Sequence, residues 1–100
     1  MIMDVSFSPK EGSPAISTNQ LVEKIQNNSV DAQLEPASGD QPAVLKLTDH
    51  ASSFHFTETD GAVSLILLKF ALTDPIEKID KAVYILTQNG FVDDSEADFI

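Results

Sequence analysis

Residues 60–90, DGAVSLILLKFALTDPIEKIDKAVYILTQNG, decide how this chain can fold. Asp60-Gly61 separates two apolar runs and is a two-residue hairpin signal, because a type I′ turn needs positive φ at both central residues. The run after it, AVSLILLKF, is apolar on both faces, with Val63, Leu65 and Leu67 on one and Ile66, Leu68 and Phe70 on the other. A two-faced strand belongs in the middle of a sheet covered on both sides, or at a surface that a partner covers. Beyond it Asp74 is placed as a helix N-cap, Pro75 as the first helical residue and Glu77 at capping-box spacing. Ile76, Ile79, Val83 and Leu86 then recur at helical spacing, Ala82 and Ile85 widen the stripe, and Glu77 can pair with Lys81. Asn89-Gly90 closes the helix in a left-handed cap, with Phe91 folding back onto its last turn.

Working outward from there, residues 43–70 read as an antiparallel meander. Leu45 and Leu47 point inward on one strand, Phe54 and Phe56 on the next, and Asp49 to Ser52 form the turn between them. Met3, Val5 and Phe7 alternate with Asp4 and Ser6, the period of a half-buried first strand. The run SPKEGSPA, 8–15, is a loop. Ser17 and Gln20 stand at capping-box spacing, which starts a helix over 18–26 whose apolar stripe is Leu21, Val22 and Ile25. Val30 to Leu34 can add a short strand. The element order β-α-(β)-β-β-β-α, with a short last strand as an option, gives an α+β two-layer sandwich: an antiparallel sheet of four to five strands under two helices. A ferredoxin-like arrangement is the alternative. Residues 1–92 make one domain, and 93–100 make an acidic tail containing Asp93, Asp94, Glu96 and Asp98 and closed by Phe99 and Ile100.

The charge excludes more than it assigns. With 16 acidic residues against 6 lysines and no arginine, the net charge is -10, a field that repels polyanions and anionic membranes. Arginine is the usual bidentate grip on phosphate and guanine edges, so nucleic acid and phosphoryl transfer are poor matches. Basic or neutral protein partners fit better. With 0 cysteines there is no disulfide framework and no thiolate nucleophile. The N-terminal residues lack a signal-peptide pattern and the longest apolar run, 65–68, is too short to span a bilayer, so a soluble cytoplasmic protein is expected.

No constellation of side chains reaches a catalytic pattern. Asp49, His50 and His55, with Glu58 or Asp60, offer metal-ligand atoms at a spacing that matches no metal signature, and His55 points to the polar face beside Thr57. Asp49, His50, Ser52 and Ser53 include the residue types of a nucleophilic triad without a nucleophile elbow. Glycines at 12, 39, 61 and 90 are too scattered to cradle phosphate, and no cofactor motif is present.

The sequence therefore leads to a small, acidic, non-catalytic interaction or regulatory protein, of inhibitor, immunity or subunit type, whose partner is a protein with a basic or apolar patch. The residues singled out for that contact are the tail (Asp93, Asp94, Glu96, Asp98, Phe99, Ile100) and the second face of the central strand (Val63, Leu65, Leu67), which could also form a homodimer. A small-molecule-binding regulatory domain is the alternative. An enzyme using His50, Asp49 or Glu58 comes third.

Overall fold

A computed structural model of the chain describes residues 2–93. The elements are β1 (Ile2–Pro9), α1 (Thr18–Gln26), β2 (Ala32–Glu35), β3 (Ala43–Leu47), β4 (Ser53–Thr59), β5 (Ala62–Ala71), α2 (Ile76–Gln88) and β6 (Phe91–Asp93). All six strands join one antiparallel sheet in the order β2-β3-β4-β5-β1-β6. The sheet thus exceeds the expected four to five strands, because both weak segments pair: Ala32–Glu35 lines up on β3, and Phe91–Asp93 lines up on β1. β6 includes Asp93, one residue into the expected tail. Asp94, Glu96, Asp98, Phe99 and Ile100 lie outside the described residues.

Both helices cover the same face of the sheet. Phe7, Phe54, Phe56, Ile66 and Leu68 alternate inward from β1, β4 and β5, as a pleated strand requires, and meet Leu21, Val22 and Ile25 of α1 and Ile79, Ala82, Ile85 and Leu86 of α2 in one buried cluster. β5 lies between β4 and β1, well inside the sheet, yet among the described residues it is covered on one side only. No second layer among the described residues accounts for its other apolar face.

The turn signals read from sequence hold in detail. Asp60 and Gly61 have φ of 54° and 82°, as a type I′ hairpin needs. Ser17 caps α1 in a full capping box with Gln20. Gly90 ends α2 at φ 91°, and a side chain there would also collide with Ser13, whose hydroxyl donates to the Gly90 carbonyl at 3.3 Å. Only glycine meets both requirements.

Three expectations are corrected. Pro75, not Asp74, stands at the N-cap of α2, and no side chain caps that end. The Asp74 carboxylate turns back to accept from the backbone N–H groups of Ala51 (2.9 Å) and Ser52 (2.8 Å) and from the Ser52 hydroxyl (2.6 Å). Three donors in the turn before β4 outweigh one at the helix start. The α2 stripe begins one turn in, at Ile79, while Ile76 is 59% exposed.

The third correction concerns β5. Thr57 pairs with Leu65 but Glu58 pairs with Val63, so Ser64 is an extra residue, a β-bulge that reverses the alternation. Val63 consequently turns inward and is buried, while Leu65 and Leu67 point outward; the three do not share a face. Beyond the bulge the Val63 N–H leaves the ladder for the Ile16 carbonyl at 2.8 Å, which ties the strand to the approach of α1.

Candidate functional site

The face of the sheet away from the helices is built by alternation. Register places Val44, His55 and Leu67 side by side on β3, β4 and β5, with Ser6 of β1 next to Leu67. One step along the strands, Thr57 and Leu65 are neighbours, and Val92 of β6 stands opposite Ser8. One step the other way, Lys46, Ser53, Lys69 and Asp4 run across the sheet in that order. Leu65 and Val92 are each 40% exposed, and Val44 and Leu67 are half-buried by their neighbours. The result is an apolar centre with a polar and charged border. No helix covers it.

The charges on this face are matched in pairs. Lys46 bridges Glu35 of β2 at 3.1 Å, and Lys69 stands directly across from Asp4. His55, between the two lysines, shares a hydrogen bond with the Ser53 hydroxyl at 3.0 Å through Nε2. Burial, helped by the charges of Lys69 and Lys46 against that of Asp4, lowers its pKa below the ordinary histidine value. The ring is neutral at pH 7. Serine and histidine in contact resemble part of a nucleophilic pair, but two positions apart on a flat strand they have no cleft and no oxyanion donors around them.

A second surface lies at the end of the sheet where β1 starts and α2 begins. Ile2, Met3, Leu72 and Ile76 are 59%, 47%, 45% and 59% exposed there. Ile2 and Met3 pair with Ala71 and Phe70, just before Leu72. Asp49, Asp74 and Glu77 belong to the same end, since Asp74 is bonded to the turn that follows Asp49. Neither 47–52 nor 71–77 contains a lysine. Hydrogen bonds from Ser52, its hydroxyl foremost, hold the Asp74 carboxyl below the usual carboxylate range, aided by the Ala51 N–H and the charge of His50.

The residues weighed for catalysis are dispersed. Ser52 is buried, donates to Asp74 and accepts from the Ala71 N–H at 2.9 Å, so it locks two loops together and is no nucleophile. His50 is half-buried. Its Nδ1 lies 2.8 Å from the Thr48 carbonyl, which can only accept, so Nδ1 donates, and among the described residues the buried Nε2 has no partner. Glu58 is at the far end of β4, where it accepts the Thr18 N–H at 2.7 Å at the start of α1; bonds from Thr18, hydroxyl then backbone, lower its pKa. Among the described residues no group of three or more His, Cys, Asp or Glu could hold a metal ion, and no helix is long and apolar enough to cross a membrane. A cleft of about 650 Å³ between α1 and the end of α2 is lined by Gln20, Glu23, Lys24, Asn27, Gln88 and their neighbours, with no titratable pair set apart from solvent. A second, of about 440 Å³, lies between the start of α1 and the loop joining β2 to β3.

Sequence reasoning found Leu65 and Leu67 but missed Val44, His55 and Val92 as members of the same face. Alternation along β3 and β4 pointed to Val44 and His55; Val92 needed the pairing of β6. The exposed end was missed because Ile76 was assigned to the buried stripe. The chain matches no protein-family model, and no curated protein or solved structure shows significant similarity to it.

Proposed function

We propose that this chain is a small acidic interaction protein, without catalysis of its own, that binds a basic partner surface through the exposed end of its sheet. The observation that carries this reading is the coincidence of four exposed large side chains, Ile2, Met3, Leu72 and Ile76, with Asp49, Asp74 and Glu77 at one end. Apolar anchors supply the contact and carboxylates steer a cationic partner toward it. Its strand order supports a scaffold of a common kind: β4-β5-β1-β6 with the two helices follows the ferredoxin-like order, and the β2–β3 hairpin extends it. A fold argues for no activity, so the function rests on the surface.

The test is retention of a partner from cell extract on the immobilised chain. Wild type should retain a basic protein that is released as salt rises, and a Leu72→Glu/Ile76→Glu variant with an unchanged circular dichroism spectrum should lose it. Retention that ignores both salt and the substitutions would end this reading.

A further inference from the structure

We infer that the face of the sheet left open by the described residues is covered by a second copy of this chain, the two sheets packing face to face in a symmetric dimer. The face has the anatomy of an interface: Val44, Leu65 and Leu67 at the centre with the neutral ring of His55, and a border of Ser, Thr and charged groups. Charge selects the occupant. On the strand positions of this face Lys46 and Lys69 cancel Glu35 and Asp4, so the net charge of -10 is carried by the other residues. Two copies repel each other through their acidic surfaces and do not repel through this one. A basic protein, drawn to the carboxylates elsewhere, gains nothing electrostatically from a balanced face.

A symmetric pair also suits the geometry, because it requires one patch to meet itself. At about 4.8 Å between strands and about 3.3 Å per residue, the face offers about 500 Å² a copy, so the pair buries about 1,000 Å², the low end for specific interfaces. The dimer is accordingly weak and concentration-dependent. Packed this way, one particle presents two acidic ends, and a partner with two basic patches would be held by both.

Sedimentation equilibrium of the purified chain, from about 5 µM to about 1 mM, tests this directly. The average mass should climb from 10.8 kDa toward twice that value. Added salt should strengthen the association by screening the remaining charge, opposite to its effect on a basic partner. Leu67→Glu should weaken it at least about tenfold while Tyr84→Glu, on the outer side of α2, leaves it unchanged. If Leu67→Glu disturbs the circular dichroism spectrum, Leu65→Glu, at a more exposed position, replaces it. A mass that stays at 10.8 kDa throughout, even in high salt, overturns the inference, as does undiminished dimerisation of folded Leu67→Glu or Leu65→Glu. A monomer that still retains its basic partner removes the dimer alone; a dimer that retains none removes the acidic-end reading alone.

Discussion

Phe54 and His55 are neighbours in the chain and opposites in environment. Phe54 is 0% exposed under both helices, whereas His55 looks out from an uncovered sheet between two lysines. The inner face is closed by apolar packing, which has little tolerance for lost volume. On the outer face, hydrogen bonds and paired charges leave an apolar strip open, and that arrangement contributes little to folding and much to what can be met. One sheet therefore sets a packed core and an open apolar strip on opposite sides by the parity of its residues.

The largest expected break of that contrast is Phe54→Ala, which should cost about 3–5 kcal/mol in urea unfolding, while His55→Ala beside it should cost less than about 1 kcal/mol. Equal costs would mean the outer face is structural too. Next comes Gly90→Ala, which meets both a positive φ and the Ser13 side chain and should lose about 2–3 kcal/mol. Adding Ser13→Gly should recover the part due to collision and not the part due to φ, a separation a double-mutant cycle can read.

Asp74→Ala should cost about 1–3 kcal/mol, because it strands the buried Ser52 hydroxyl and two backbone donors. Its pH signature follows from the lowered pKa of Asp74 and Glu58. Both are ionised in the folded chain at acidities where the unfolded chain has begun to protonate. Their contribution is thus present above the ordinary values of 3.8 and 4.5 and is lost as pH falls through the lowered ones. Unfolding followed in acid should show a shallower pH dependence in Asp74→Ala.

The smallest effect belongs to the outer face. Lys69 from β5, Lys46 from β3 and Asp4 from β1 face His55, with Ser53 beside it on β4. Because burial and the lysines already lower its pKa, protonation adds a third cation to a face that association buries further. The inferred dimer should hold above that lowered pKa and weaken severalfold as pH falls through it, with monomer stability changing by less than about 1 kcal/mol; His55→Gln should flatten the profile.

Local signals made most of the scaffold legible. Ser17 with Gln20, Asp60-Gly61 and Gly90 each state a backbone requirement within four residues, and the structure honours all three. Longer-range choices were not legible. Whether Asp74 caps its own helix or a distant turn depends on donors 22 residues away in Ser52, and whether Val63 joins Leu65 depends on one extra residue in the register with β4. Alternation could suggest that His55 points outward. It could not show that the helices leave that side bare, since both helices have single stripes that would fit either face.

The sheet's edges carry a consequence of their own. β2, at one edge, is four residues long and is followed by Pro36. Exposed strand edges are templates for endless lateral growth, and short ones ending in proline offer little ladder to extend. Edgewise addition of further copies at β2 is thereby discouraged. A short edge of this kind argues against lateral growth into fibrils when the protein is concentrated.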